Sequence, residues 1–225
     1  MTIGIIVAMS KELNLLLPLL ENPETKAIDN FHFHTGNIGN NHIVAMQCGI
    51  GKVNAAIGTL TMIKNYNTDL IINSGVAGGA DPSVNVMDIV VGSKVAYHDV
   101  YCGPENAIGA VQGLPLFYDA PQNIISKIAP SADIHTGLIC SGDQFINTIE
   151  QVNRIKSNFP DVLAVDMESA AIAQTCHIYG KQFLSLRVIS DSPGASHNNT
   201  QQYSDFWSEA PEHTFAILHQ LILNI

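Results

Sequence analysis

Arginine is nearly missing from this chain. Of 225 residues only Arg154 and Arg187 carry a guanidinium, and every other base is a lysine. Guanidinium is the usual two-pronged clamp for phosphate, so a site that grips free phosphate through an arginine cluster is hard to assemble. Basic charge as a whole is scarce. Ten bases against twenty acids give a formal net charge of −10. That leaves little from which to build a face for a nucleic-acid backbone or for an anionic lipid surface. Cysteine is sparse too. Cys48, Cys102, Cys140 and Cys176 are spaced by 54, 38 and 36 residues, with no CxxC pair, which argues against a structural zinc site and a disulfide scaffold. Reduced, mostly buried thiols in a cytoplasmic protein are expected. No uncharged apolar run approaches the roughly 18 residues of a membrane span. The apolar stretch Thr2–Met9 has no basic segment before it and ends at Ser10-Lys11-Glu12, so it reads as a first core strand and not as a signal peptide.

What the chain has is apolar material, 46% of residues against 13% charged. Such a composition can bury a large core and excludes wholesale disorder. Short Val- and Ile-rich runs recur at 3–8, 42–47, 69–74, 88–95, 136–141, 162–165 and 183–190. Runs of this length and composition suit strands covered on both faces. Between them lie segments of helical period. In 51–66 the residues Val53, Ala56, Ile57, Leu60 and Ile63 make one apolar stripe. In 167–180, Met167, Ala170, Ala171 and Ala173 cluster, with Gly180 as the stop. Phe215, Leu218 and Leu221 or Ile222 form the stripe of a closing helix. Strands alternating with helices predict an α/β domain around a parallel or mixed sheet. Two long loops, 98–122 and 192–202, are expected to be functional or mobile.

Several familiar signatures fail. Gly49-Ile50-Gly51 begins a dinucleotide fingerprint, but Asn54 stands where its third glycine belongs. Walker A, HExxH and GxSxG are absent. His32, His34 and His42 read as exposed or edge-strand residues of an early hairpin-like region, not as metal ligands. The remaining candidates are carboxylates at strand ends: Glu12 after the first run, Asp166 and Glu168 after 162–165, and Asp191 after 183–190. Ligands of open α/β sheets bind beyond the carboxyl ends of strands, so acids placed there by three strands could converge on one pocket. Ser74-Gly75-Val76-Ala77-Gly78-Gly79 follows its strand directly, as a tight turn or as a place of close backbone approach.

Six motifs, in order and nearly end to end, carry a resemblance. They are 5–12 (IIVAMSKE), 49–56 (GIGKVNAA), 72–79 (INSGVAGG), 141–147 (SGDQFIN), 164–170 (AVDMESA) and 186–191 (LRVISD). The chain resembles the 5′-methylthioadenosine/S-adenosylhomocysteine nucleosidases of the nucleoside phosphorylase superfamily. The resemblance implies a three-layer αβα sandwich with a central mixed β-sheet, one nucleosidase domain over 1–225, and a homodimer. It implies hydrolysis of the bond between adenine and a 5′-thio-substituted ribose, with no metal or cofactor and no nucleic-acid or membrane partner. By motif position it implies that Asp191 protonates or hydrogen-bonds N7 of the departing adenine and that Glu12 polarises the attacking water. Glu168 would grip the ribose hydroxyls beside Met167, and Arg187 would help hold Glu12 and the water. Phe145 would stack on the purine and the Ile146 backbone would read its edge. Met9, Ile50, Val76, Ala77, Gly78 and Ser190 belong to the same implied pocket, and Tyr203 and Phe206 are candidates for an aromatic wall near the ribose. Glu12 in the first loop suits water and repels phosphate, which favours a hydrolase over a phosphorylase, while Arg154 lies in a polar stretch expected to face solvent. Three departures bear on specificity. The run 100–106 (VYCGPEN) differs from the family's usual loop, so the preferred 5′ group stays open. Pro193-Gly194 stands where a second acid is common. Val76 replaces a small polar residue, which removes one hydrogen bond to the water. A hydrolase of another purine nucleoside such as 5′-deoxyadenosine or futalosine, a phosphorylase, and a non-enzymatic nucleoside-binding protein are the alternatives.

Overall fold

The computed structural model describes residues 1–194, 199–209 and 213–225. Its strands are β1 (Thr2–Val7), β2 (Glu21–Ile28), β3 (Phe31–Ile38), β4 (Asn41–Gln47), β5 (Leu70–Gly79), β6 (Ile89–Tyr97), β7 (Tyr118–Asp119), β8 (Ile134–Ser141), β9 (Val162–Asp166) and β10 (Gln182–Asp191). Its helices are α1 (Ser10–Leu16), α2 (Lys52–Tyr66), α3 (Gln122–Ile125), α4 (Ile149–Lys156), α5 (Ser169–Ile178), α6 (Asn199–Glu209) and α7 (His213–Asn224).

The strands form one mixed sheet in the order β10-β6-β8-β9-β5-β1-β4-β3-β2, and β10 also pairs with β5. That last pairing closes β5, β10, β6, β8 and β9 into a ring, from which β1, β4, β3 and β2 extend as a tail. Parallel pairing joins β5 to β10 and β1, while β6 runs antiparallel to β10. β5 and β9 cross antiparallel at only two residue pairs, Gly78 with Val165 and Gly79 with Ala164. Both pairs lie at the carboxyl ends of their strands, so strands of opposite direction end at one point. The carboxylates that follow them meet for this reason.

Alternation along β1 shows the three layers. Ile3, Ile5 and Val7 enter one apolar core with Leu16, Phe215, Leu218, Leu221 and Ile222 from α1 and α7. Ile6 points to the opposite core, which holds Ala55 and Met62 of α2 and Ala170 to Ala173 of α5. The expected mixed αβα fold and closing helix are therefore present. Each large apolar side chain so buried contributes about 1.5–3 kcal/mol relative to exposure. Gly180, with φ +62°, stops α5 in the left-handed region where glycine carries no side-chain penalty.

The structure adds to or corrects the sequence reading at four points. The apolar stripe assigned to the core side of α2 is turned outward: Val53 is 68% exposed and Ile57 51%, and of that stripe only Ile63 is buried. The face that packs is Ala55, Gly58, Thr59, Met62 and Ile63. β2 is exposed along nearly its whole length and carries no apolar signal. The polar stretch around Arg154 is the helix α4, although Arg154 itself does face solvent. Thr148 caps this helix by accepting from the Gln151 amide at 3.3 Å, and the Gln151 side chain accepts from the Thr148 amide at 3.1 Å. Finally, 192–202 is not all loop, because α6 starts at Asn199; residues 195–198 lie outside the described part. Three of the four free cysteines are buried and Cys102 is half-buried. His32 and His42 are exposed and His34 half-buried.

Candidate active site

Where the strand ends meet there is a cleft whose empty space, counted out to its open mouth, is about 620 Å³. Glu12, Glu168 and Asp191 share its wall, each at most 4% exposed. Met9, Ile50, Val76, Ala77, Gly78, Phe145, Ile146, Met167, Arg187, Ser190 and Tyr203 complete the expected lining. Phe206 is not part of it. Its side chain is buried in the core beneath α6, edge-on to Trp207 at 5.4 Å between ring centres. Tyr203, three residues earlier, meets Phe145 edge-to-face at 5.7 Å and donates its hydroxyl to the Met9 sulfur at 3.3 Å. The helix thus turns one aromatic to the cleft and the other to the core.

Glu12 is the third residue of α1 and reaches back over the helix start. Its Oε2 accepts the amides of Ala8 and Met9, both at 2.9 Å, and its Oε1 accepts the Val76 amide at 3.1 Å. Burial pushes its carboxyl above the usual range, against the pull of the Arg187 charge and those three amides. Gly75 makes this approach possible. A Cβ there would overlap Glu12 Oε1 and lie 2.7 Å from Arg187 Nη1, so any side chain would force the two apart.

Glu168 stands at the head of α2. Its Oε1 accepts the Gly51 amide at 3.0 Å, in the positive end of that helix. Its Oε2 lies 3.4 Å from Arg187 Nη2. Burial, opposed by Arg187 and reinforced by Asp166, raises its pKa. Asp191 ends β10. Its Oδ1 accepts the Ser190 hydroxyl at 2.6 Å, whereas Oδ2 is buried with no hydrogen-bond partner among the described residues. Burial pushes this carboxyl up to about 6, with Ser190 and Asn199 pulling the other way. A buried acid in a cleft wall with a raised pKa is a candidate proton donor.

Arg187 is 1% exposed in the middle of β10, between Gly75 of β5 and Val90 of β6. The surrounding carboxylates outweigh its burial and raise its pKa. It is the only arginine in the cleft. Sequence reasoning left Ala8, Gln144 and Val165 out of the lining, and gave Asp166 only as one of the strand-end acids. Among the described residues no group of three His, Cys, Asp or Glu is placed to hold a metal, and no helix is long and apolar enough to cross a membrane.

A sheet closed at β5–β10, with buried acids from three strand ends around one arginine, defines a class. Residues 2–223 match the family model of the Phosphorylase superfamily. The chain is 43% identical over 201 residues, 85% of each chain, to the 5′-methylthioadenosine/S-adenosylhomocysteine nucleosidase of an Exiguobacterium species. A Streptococcus pneumoniae nucleosidase of the same name, solved with the transition-state inhibitor MT-ImmA, superposes with a TM-score of 0.93 at 33% identity, covering 99% of both chains. A Borrelia burgdorferi structure described as a putative nucleosidase of that name, bound to adenine, superposes at 0.92 with 35% identity, covering 99% of this chain and 100% of that one. The chain belongs to the Phosphorylase superfamily and, within it, to the 5′-methylthioadenosine/S-adenosylhomocysteine nucleosidase family.

Proposed function

We propose that this chain hydrolyses the N-glycosidic bond of 5′-methylthioadenosine and S-adenosylhomocysteine, releasing adenine and the 5-thio-substituted ribose. The observation that carries the reading is the meeting of Glu12, Glu168 and Asp191 in one cleft that holds a single arginine. A phosphate-cleaving relative would need cationic clamps where Glu12 stands. As the C1′–N9 bond breaks, its electron pair moves into the purine and N7 takes the Asp191 proton. The sugar becomes cationic, and a water oxygen bonds C1′ while its proton passes to Glu12. Glu168 accepts from the ribose hydroxyls beside Met167. Phe145 stacks on the base, and the Ile146 backbone reads its edge. Arg187 keeps Glu12 and the water in place.

The test is an adenine-release assay with methylthioadenosine, with and without phosphate. Adenine is expected at a rate that phosphate leaves unchanged, with free thio-ribose as the other product. Release that requires phosphate, or yields a sugar 1-phosphate, would overturn the reading.

The chain acts as a homodimer in this reading. Ile50, Val53 and Ile57 form one outward apolar stripe at the mouth of the cleft, each more than half exposed, the kind of patch that marks an interface. Val53→Asp with Ile57→Asp is expected to shift sedimentation from dimer to monomer; an unchanged sedimentation coefficient would refute this face. The reading places the protein in the cytoplasm, where its four free thiols stay reduced, and recovery in a membrane or secreted fraction would refute that.

A further inference from the structure

Beneath the cleft lies a group that the proposed chemistry does not use. We propose that Asp166 is a positioning residue. It claims the inner nitrogen of Arg187, fixing the guanidinium in its slot and competing with Glu168 and Glu12 for its charge. This rests on the hydrolytic reading above and deepens it.

The geometry carries the assignment. Asp166 Oδ2 lies 2.5 Å from Arg187 Nη2, whereas the Glu168 carboxylate is 3.4 Å from the same nitrogen. Nη2 also donates to Asn73 Oδ1. An Nη2 carries two hydrogens, so Asp166 and Asn73 satisfy it and Glu168 receives the weaker remainder. The other guanidinium nitrogen, Nη1, donates to the Val76 carbonyl at 3.4 Å.

Asp166 is itself gripped from two sides. Ser141 Oγ donates to its Oδ1 at 2.5 Å, and the Ser169 amide lies 3.2 and 3.3 Å from its two oxygens. The Ser169 hydroxyl donates to Oδ2 and sits 2.7 Å from the Ser185 hydroxyl. Asn73 is anchored in turn, donating to the Ile6 carbonyl at 2.9 Å. The slot is therefore built from β1, β5, β8, β9, α5 and β10, all around one nitrogen. Three acids face one base here, and a buried charge without a full partner is costly. The glutamates nearest the ribose carry that deficit, which keeps them proton-hungry, as a base acting on water should be.

Other titratable groups near the cluster are Cys48, Cys140, Tyr203 and His98. Cys48, close to Glu168 and Glu12, is pushed up to about 12 by burial. Cys140, beside Asp166, and Tyr203, near Glu12, Glu168 and Asp191, are also raised by burial. His98, near Asp166 and Lys52, is lowered by burial. Asp191, as the proton donor, governs the alkaline limb of the profile and not the acidic one.

Asp166→Asn keeps the shape and removes the charge. Arg187 then serves Glu168 and Glu12, and both become weaker bases. The acidic limb of kcat/KM is expected to move down by about one pH unit or more, while the plateau rate falls. Ser141→Ala keeps the charge and loses two hydrogen bonds, the one donated to Asp166 and the one accepted from the Ala170 amide; it should cost at most about tenfold in rate with the limb unmoved. A slowed Asp166→Asn with an unmoved limb, or a Ser141→Ala limb shifted as far, would overturn the assignment. Carboxyl-carbon NMR titration of Glu12 and Glu168, assigned with Glu12→Gln, reads the same effect without turnover. It separates a failed positioning role from a failed hydrolase reading, which would appear as a wild type that releases no adenine. Should Asp166→Asn not fold, the wild-type titration decides: both glutamates titrating inside the ordinary carboxylate range would sink the proposal.

Discussion

Asp191→Asn is expected to slow adenine release by about 10² to 10⁴-fold and, at the same time, to make the folded protein more stable above pH 7. Both effects have one cause. Burial raises the Asp191 pKa from 3.8 to about 6, so between those values the folded chain holds a proton that the unfolded chain has released. Stability therefore falls as pH rises through that window, and above it the whole penalty for a buried anion is present. Asparagine has no charge to bury. Two pKa units correspond to about 3 kcal/mol, reduced because the new amide nitrogen meets the place where Oδ2 has no partner. A net gain of about 1–3 kcal/mol at pH 8 is expected. Below pH 4 the two proteins should melt together, because wild-type Asp191 is then protonated in both states. Melting curves across pH, set beside the adenine-release rate, check both halves. Full activity would show that no proton comes from Asp191, and parallel melting at every pH would show that the side chain is not desolvated.

Glu12→Gln has a comparable kinetic loss but a smaller change in stability, because relief of a buried charge, whose pKa burial already raises, is set against the loss of its hydrogen bonds. The carboxylate accepts three backbone amides and donates nothing. Glutamine must point its NH₂ either at Ala8 and Met9 or at Val76, setting donor against donor. A buried polar mismatch of this kind costs about 1–3 kcal/mol. It falls on the first turn of α1, because Glu12 satisfies the Met9 amide that opens the helix. The rate should drop by about 10² to 10⁴-fold with the loss of the proposed base, mostly in kcat, because the proposed holders of the nucleoside, Glu168 and Phe145, are untouched. Single-turnover adenine release and chemical denaturation measure the two effects. A variant as active as the wild type would move the water to another group. A stability gain as large as that of Asp191→Asn would show that the three amide bonds add nothing to the fold.

The strands that carry the site were legible because they are buried on both faces. Runs such as Ile3–Ala8 and Phe183–Ser190 need no periodicity to be read as core. Convergence of Glu12, Glu168 and Asp191 was also foreseeable, since strand ends collect ligands and the motif order matched a family. Residues with two apolar faces were not legible. α2 has apolar side chains all round, and nothing local says that Val53 and Ile57 look outward while Ala55 and Met62 pack. Phe206 was misplaced for a related reason. Its spacing from Tyr203 fits one face of a helix, but only the tertiary position of α6 decides where that face divides. α4 did carry a readable sign, the Thr148–Gln151 box, obscured by the polar character of the helix it opens. Asp166 was noticed as a strand-end acid, but its link to Arg187 spans 21 positions and two strands, which no local pattern encodes.

The circular closure of β5, β10, β6, β8 and β9 has a consequence for how such a site can change over time. Arg187 is flanked on both sides by paired strands, so an inserted or deleted residue in β10 has no free margin into which to relax. It would swing Arg187 out and Leu186 in, and set every neighbour out of step. Tyr203 and Phe145, by contrast, reach the cleft from outside that ring. New substrate preferences can arise by trading those aromatic neighbours, while the charged floor beneath them is held by the geometry of the whole loop of strands.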